Sequence, residues 1–448
     1  PLFLALMFTR SYLLGTACVL ISLFPYFLAE CAVMWSVDGV YFASRWLSIS
    51  ALATLPYVLV PLTHLFLRNR MEQISFLGFA LGCGLADELG RWLAEQGIGL
   101  PYPSLSMALS GDQYAIQILD IAGPPGVVFA MAIVASMAGD GALSSRFYWK
   151  SLAVGGSVLL MVYLYGICMH GFIEEDLRRI VRVGVCPIWS ASNEAYVHCA
   201  NSLADKDPRV DLVLFTEGSL CNDELRTEKE ELDLESFRES KELRSLRERI
   251  NANVVFGVCI RDRKGSPDFI NGATVLLRDE DQSLLICKSQ PILGYERSSA
   301  VASWVAAVVP GVKSGSYVSM KTPRSFKLKA KEGVFTIAVA ICNEQLLSSI
   351  GREIASAGAE PDVIVCIANE TRFPNSSVSE LTWDYARCRA IEFRIPVIRC
   401  VAGGISGWID ELGDSRVKSS FDAAGGKVFD IVVSKEKTRR ERVWGRVA

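Results

Sequence analysis

The chain has 448 residues, of which half are hydrophobic, and its formal net charge is −3. This length allows two or three domains of about 150 residues each. The nearly balanced charge gives no sign of a nucleic-acid partner. Residues 1–170 are mostly apolar, whereas residues 171–448 carry most of the charged side chains. This asymmetry predicts an N-terminal membrane domain over residues 1–170 and a water-soluble domain over residues 171–448.

The N-terminal half contains segments with the length and composition of membrane helices, which need about 20 apolar residues to cross a bilayer. Five segments reach or approach that length: 11–29, 46–67, 74–94, 113–138 and 151–170. The third is the weakest, because it contains Asp87, Glu88 and Arg91. Its glycines Gly78, Gly82 and Gly84 nevertheless suit close helix packing. The sequence therefore predicts a helical domain with about five spans.

The positions of lysine and arginine in the loops predict the orientation, since cytoplasmic loops carry an excess of these residues. Arg68 and Arg70 follow the second segment, and Arg146 and Lys150 follow the fourth. These loops are therefore expected inside, and five spans then place the soluble domain outside. In a bacterium this is an inner-membrane protein with a periplasmic domain. An even number of spans would reverse the orientation.

The soluble half alternates apolar, strand-like runs with helical segments. Predicted strands are 180–187, 211–219, 253–260, 272–279, 283–288, 333–342, 361–369 and two strands within 396–413; predicted helices are 193–204, 227–250 and 380–394. The pair 272–279 and 283–288 is typical of a hairpin. Strands that alternate with helices and include extra hairpins predict a layered domain with mixed sheets. Together with the helical N-terminal half, this gives an α+β fold class.

Three polar residues stand where predicted strands end: Glu217, Lys288 and Cys342. A carboxylate can accept the proton of a thiol, and a lysine lowers the thiol pKa and stabilises an oxyanion. Taken singly, each residue has a simpler explanation, because a cysteine often packs as a small apolar residue and a glutamate or lysine is often solvated. Their combination predicts a thiol nucleophile. The cysteine and glycine spacings indicate neither a metal site nor a cofactor loop.

The segments around these residues resemble a known family. FTEG at Glu217, CKSQPILGYE at Lys288 and AICNE at Cys342 resemble, in the same order, the Glu–Lys–Cys triad of the nitrilase, or carbon–nitrogen hydrolase, superfamily. In the membrane branch of that superfamily, the apolipoprotein N-acyltransferases, a second glutamate follows the lysine at the spacing of Glu296. An N-terminal multi-span region before a nitrilase-like domain is also the layout of that branch.

Two downstream segments strengthen the resemblance. ANETRF, residues 368–373, is similar to the Asn-Asp-x-Trp-Phe stretch of the membrane branch. Residues 386–413 resemble its Arg-Ala-Ile-Glu segment and the Gly-Ile-Ser strand that follows. The resemblance therefore covers most of the soluble half.

The resemblance implies a four-layer αββα sandwich and a ping-pong acyl transfer without a cofactor. Glu217 would be the general base, Cys342 would form a thioester, and Lys288 with backbone N–H groups would hold the oxyanion. Glu296 and Glu344 would support the site. The implied acyl donor is a phospholipid, and the implied acceptor is an amine on a membrane-anchored protein or peptide, such as a lipoprotein N-terminus.

Three departures from the family pattern fall near the expected substrate-binding region, which includes Asn369. Asn343 stands where the family has an aromatic residue, Arg372 replaces its tryptophan, and ILGYERSS follows the lysine in place of Pro-Phe-Gly-Glu. This divergent set resembles the TraB-like proteins of conjugative plasmids. Three interpretations stay open: an acyltransferase, an amidase or transacylase acting on a membrane peptide such as a pilin, and a catalytically inactive scaffold.

Overall fold

The computed structural model divides into two compact units, Pro1–Ile173 and Glu174–Ala448. The structure describes residues 11–30, 47, 50–70, 75–95, 104–143, 148–171, 178–188, 193–207, 210–219, 248–250, 252–261, 269–278, 283–291, 296, 317–320, 322–331, 333–356, 361–371, 373, 377–420 and 426–434.

The first unit is helical. Its helices are α1 (Tyr12–Glu30), α2 (Leu59–Arg70), α3 (Ser75–Glu95), α4 (Leu119–Leu143) and α5 (Tyr148–Gly171), with 3₁₀ turns at Leu55–Val58, Leu105–Leu109 and Ala115–Ile118. Within the described residues, four stretches are long and apolar enough to span a membrane: Tyr12–Ala29, Ser50–Arg70, Ala115–Gly139 and Trp149–Gly171. They correspond to the first, second, fourth and fifth predicted segments. The third forms α3 but is not among them, because Asp87, Glu88 and Arg91 interrupt its apolar sequence.

Helix α3 packs against α2 through two of its glycines. A Cβ atom on Gly78 would lie 2.6 Å from the carbonyl oxygen of Thr63, and one on Gly82 would lie 2.7 Å from the Cα of Val60. Both distances are too short for a side chain, so the two helix backbones approach closely because these positions are glycine. The close packing predicted for Gly78 and Gly82 is confirmed.

The second unit contains two six-stranded sheets. Its strands are β1 (Arg178–Cys186), β2 (Leu212–Phe215), β3 (Asn253–Arg261), β4 (Phe269–Leu276), β5 (Ser283–Cys287), β6 (Ser325–Ala330), β7 (Gly333–Ile341), β8 (Val363–Asn369), β9 (Val397–Ala402), β10 (Ile405–Ile409), β11 (Ser415–Ser420) and β12 (Lys427–Ser434). The strand orders are β12-β1-β2-β3-β4-β5 and β11-β10-β9-β8-β7-β6. Strands β1–β2–β3 and β7–β8–β9 pair in parallel, and the other neighbours pair antiparallel. The mixed sheets and the β4–β5 hairpin are therefore as predicted.

Successive side chains of a strand point to opposite faces of the sheet. Each sheet therefore packs against the other sheet on one face and against helices on the other. In β3, Val255 joins the core between the sheets, whereas Phe256 packs on the outer face with helix α6 (Asn193–Lys206). In β7, Val339 joins the same inter-sheet core, whereas Ala338 packs on the outer face with α7 (Ser348–Ser356) and α8 (Val378–Phe393). The order of layers is helix, sheet, sheet, helix, which confirms the predicted αββα sandwich.

Three strands were not predicted: β6, β11 and β12. In β6 the exposed residues Lys327 and Lys329 flank the buried Leu328. Charged residues are common on edge strands, where they discourage further pairing, so the apolar content of β6 is low for a strand. The helix predicted for residues 227–250 lies outside the described residues except for its last three positions.

Candidate active site

Each of the three residues predicted to carry the chemistry follows directly on a strand or its turn. Glu217 lies in the turn after β2, Lys288 follows β5, and Cys342 follows β7 and opens the 3₁₀ turn Cys342–Leu346. Strands β2 and β5 belong to one sheet and β7 to the other. The site therefore lies where strand ends of the two facing sheets meet.

Lys288 is fully buried between two carboxylates. Its Nζ lies 3.3 Å from Glu217 Oε1 and 2.9 Å from Glu296 Oε1. Asn271 Nδ2 donates to the same two oxygens, at 2.8 and 3.0 Å. Burial alone lowers the pKa of Lys288, but its electrostatic interactions with Cys342, Glu217 and Glu296 outweigh that effect and raise the pKa well above its ordinary value. The side chain therefore stays an ammonium ion.

Glu217 also contacts the cysteine and the end of β8. Its Oε2 accepts the backbone N–H of Asn369 at 3.1 Å. The carboxylate also interacts with the half-buried thiol of Cys342. Burial and the nearby Glu217 carboxylate raise the pKa of Cys342 well above its ordinary value, although Lys288 lowers it. At rest Cys342 is therefore a neutral thiol with a carboxylate beside it.

The backbone turns sharply at the cysteine. Cys342 has φ = 54°, and Arg394 is the other non-glycine residue with positive φ in the described part of the chain. Such a conformation costs a non-glycine residue on the order of 1–3 kcal/mol and persists only where the surroundings enforce it. The strain therefore marks Cys342 as a residue whose conformation the surrounding structure imposes.

Glu344 holds that turn against the segment that follows Lys288. Its buried carboxylate accepts two hydrogen bonds from the guanidinium of Arg324, at 2.7 and 2.8 Å. It also accepts backbone N–H groups from both segments, namely Ser289 at 2.8 Å, Gln290 at 3.2 Å and Ile341 at 3.0 Å. One carboxylate thus fixes the spacing between the lysine and cysteine strand ends.

Glu217 depends on a glycine in the neighbouring strand. A Cβ atom on Gly257 of β3 would lie 2.5 Å from the Cα of Glu217 and 2.4 Å from the carbonyl oxygen of Thr216. These distances leave no room for a side chain. The turn that carries Glu217 therefore rests directly on the β3 backbone.

The structure accounts differently for the remaining predicted site residues. Asn343 is buried, and its Nδ2 donates to the carbonyl oxygen of Gln290 at 3.1 Å. Asn369 contributes its backbone N–H to Glu217, while its side chain accepts hydrogen bonds from Thr371. Arg372 lies outside the described residues. Within the described part of the chain, no cluster of histidine, cysteine or acidic side chains has the form of a metal site.

The sequence interpretation missed Asn271 and Arg324. Asn271 had a signal, because it is a polar residue inside the apolar run of β4. Arg324 had none, because it immediately precedes β6, which was not predicted as a strand. Both residues act by contacting carboxylates that are distant along the chain.

The comparison with curated sequences identifies a relative. No protein-family model matches the chain. Over 428 residues, the chain is 23% identical to the apolipoprotein N-acyltransferase of Rickettsia typhi, and the alignment covers 87% of this chain and 78% of that enzyme. The chain is a homologue of apolipoprotein N-acyltransferase. This finding confirms the resemblance on which the sequence interpretation rests.

The chain also resembles solved structures of lower sequence identity. A carbon–nitrogen hydrolase from Helicobacter pylori G27 is 15% identical with a TM-score of 0.42, covering 60% of this chain and 94% of that one. An amidase from Nesterenkonia sp. is 13% identical with a TM-score of 0.40, covering 62% and 98%. The sequence similarity supports an enzyme of acyltransferase type in general, and the four apolar stretches indicate a membrane protein.

Proposed function

We propose that the protein is a membrane-bound acyltransferase that moves an acyl group from a phospholipid, through a thioester on Cys342, to an amine acceptor such as a lipoprotein N-terminus. The observation that carries this proposal is the contact of Glu217 with both Cys342 and Lys288. The sequence similarity to an apolipoprotein N-acyltransferase supports the same chemistry.

In the first half-reaction, the Cys342 sulfur attacks the ester carbonyl of the lipid while Glu217 takes the thiol proton. Lys288 stabilises the oxyanion that forms, because it remains positively charged and its Nζ is held by Glu217 and Glu296. Collapse breaks the ester C–O bond, and the leaving alcohol receives the proton from Glu217. The products are a thioester on Cys342 and a lysophospholipid.

In the second half-reaction, an amine attacks the thioester carbonyl and forms a C–N bond. Glu217 accepts a proton from the attacking amine, and Lys288 again stabilises the oxyanion. The C–S bond then breaks, and the sulfur recovers its proton from Glu217. The product is an amide, and the enzyme returns to its starting state without any redox change.

Mass spectrometry of the full chain tests the proposal. After incubation with a phospholipid of one defined fatty acid, the wild type is expected to gain the mass of one acyl group, and hydroxylamine should remove it because it cleaves thioesters. Cys342→Ala is expected to show no gain. An adduct that persists in Cys342→Ala contradicts the proposal. Product formed from a peptide amide but never from the lipid favours the amidase instead.

We also propose that the catalytic domain is periplasmic, with α3 as a fifth span inside the helix bundle. Its 21 residues extend about 31 Å at about 1.5 Å per residue, close to the roughly 30 Å of a bilayer core. Its charged Asp87 is buried and accepts hydrogen bonds from Ser104 Oγ at 2.9 Å and Tyr57 at 3.4 Å. An ionisable group in a span usually faces protein in this way.

Proteolysis of intact bacterial spheroplasts tests this orientation. With five spans, the soluble domain lies on the side opposite Arg68 and Arg70, so protease added outside is expected to digest it. A cytoplasmic enzyme that stays intact shows that the spheroplasts are sealed. A soluble domain that remains protected until the membrane is lysed contradicts the five-span arrangement.

A further inference from the structure

A further buried ion pair lies directly behind the candidate site, at the end of β8. Glu370 is 4% exposed and Arg399, in β9, is fully buried. Arg399 Nη2 donates to Glu370 Oε1 at 2.9 Å. Removing two charges from water costs free energy even when they pair, and the pairing often does no more than offset that cost. The presence of this ion pair therefore needs an explanation.

The carboxylate of Glu370 is held from several sides. Thr382 Oγ1 donates to its Oε1 at 2.7 Å, and Ser379 Oγ donates to its Oε2 at 2.6 Å. Gly404 lies so close that a Cβ atom there would be 2.2 Å from Oε2. The guanidinium of Arg399 lies over the ring of Trp383, with 5.8 Å between Cζ and the ring centre. Glu370 therefore has little freedom to move.

This rigid residue is the neighbour of Asn369, whose backbone N–H reaches Glu217. The Glu370 N–H donates to the carbonyl oxygen of Ala402 at 2.8 Å, which ties this peptide to β9. One residue earlier, Asn369 N–H donates to Glu217 Oε2 at 3.1 Å. Asn369 itself lies opposite Ala402 in the β8–β9 pairing, so anchoring the next residue at Glu370 restricts the rotation that would turn the Asn369 N–H away from Glu217.

We propose that Glu370 and Arg399 form a positioning pair that holds the Asn369 N–H against Oε2 of Glu217. The pair touches neither substrate nor reacting atoms; it keeps the general base oriented toward Cys342. This inference rests on the proposed function, since it requires Glu217 to act as the base.

The test is the pH profile of single-turnover acylation of Cys342, measured with the full chain. The variant Glu370→Gln/Arg399→Met removes both charges at similar volume, so neither is left buried and unpaired. The matched control is Arg389→Met/Glu392→Gln. That pair has side chains only 7% and 9% exposed, lies within α8 with 2.8 Å between its charged atoms, and is bonded to Ser348. Thr382→Val, which removes one hydroxyl shared by Glu370 and Arg399, is a gentler second variant.

The Glu370→Gln/Arg399→Met variant is expected to lose about tenfold in acylation rate near neutral pH. The pH dependence of acylation should change with it, because the Asn369 N–H donates to the carboxylate of Glu217. Thr382→Val should change the profile in the same direction by less. The control variant should keep the wild-type profile.

Two results overturn the inference. One is a wild-type profile in every folded variant of the Glu370–Arg399 site, including Thr382→Val if the double variant does not fold. The other is an equal change in the Arg389→Met/Glu392→Gln control. If the wild type itself is never acylated on Cys342, the proposed function fails and the positioning role falls with it. If the wild type is acylated normally and the variants of the Glu370–Arg399 site keep its pH profile, only the positioning role is wrong.

Discussion

Glu217→Gln is expected to lower acyl transfer by about 10²–10⁴-fold, the usual effect of removing a general base, and to make Cys342 react faster with iodoacetamide. The two effects have opposite signs because the carboxylate has two roles. It accepts the thiol proton during attack, and its negative charge raises the pKa of Cys342 at rest. Without that charge the pKa falls, so a larger fraction of the thiol is ionised at neutral pH. Each unit by which the pKa of Cys342 falls raises the thiolate fraction about tenfold.

Lys288→Met is the matched comparison. It should lower both the rate of acyl transfer and the rate at which iodoacetamide alkylates Cys342. Lys288 lowers the pKa of Cys342, so its loss leaves less thiolate for alkylation as well as no cation for the oxyanion. A substitution that merely loosens the site would not separate alkylation from acyl transfer in this way. The opposite signs for Glu217→Gln therefore report the electrostatic role of this carboxylate.

Peptide mass spectrometry measures alkylation at each cysteine, and single-turnover acylation measures the chemistry. Cys388 is an internal reference, because burial raises its pKa to about 12 and its alkylation reports unfolding. The interpretation of Glu217 as the base is wrong if Glu217→Gln keeps wild-type acyl transfer. It is also wrong if Cys342 in that folded variant is alkylated more slowly than in the wild type.

The residues that end strands could be predicted because their signal is local. Glu217, Lys288 and Cys342 each follow an apolar run, and a strand delivers such a residue to the edge of a sheet. The partners of these residues carry no comparable signal. Asn271 and Arg324 reach their carboxylates only through strand pairing between distant segments. The positive φ of Cys342 was equally hidden, because sequence patterns assign that conformation to glycine first.

The same contrast applies to the layers and the membrane helices. The family resemblance implied the αββα order of layers. It did not indicate β12, which is far from β1 along the chain and joins the sheet by pairing with that strand. In the first unit, apolar length predicts four of the spans, whereas α3 carries charges. The burial of Asp87 against Tyr57 and Ser104 is a tertiary contact that no window of composition contains.

Arg324→Met is expected to destabilise the soluble domain by about 3–5 kcal/mol, the usual result of leaving one member of a buried ion pair without its partner. Arg324 is 3% exposed, and Glu344, to which it donates twice, is fully buried. Denaturant unfolding of the detergent-solubilised protein measures the change. The control is Arg416→Met, whose ion pair with Asp410 has a half-exposed arginine, with 2.8 Å between the charged atoms. It should cost about 1 kcal/mol or less.

The double variant Arg324→Met/Glu344→Gln separates stability from function. Removing both charges should recover part of the lost stability, because no unpaired charge is left buried. Acyl transfer should not recover. Oε1 of Glu344 accepts the N–H groups of Ser289 and Gln290, and Oε2 accepts that of Ile341, but a glutamine offers only one oxygen. Its NH₂ group must face one set of donors, so one of the two strand ends is released.

Two results would count against this account of Glu344. If Arg324→Met is as stable as the wild type, the buried ion pair does not support the fold. If the double variant regains acyl transfer together with stability, the two strand ends keep their spacing without the carboxylate. The strained turn at Cys342 would then be enforced by other contacts. If the double variant recovers stability but not acyl transfer, the carboxylate of Glu344 aligns Cys342 with Lys288. That role is separate from its contribution to folding.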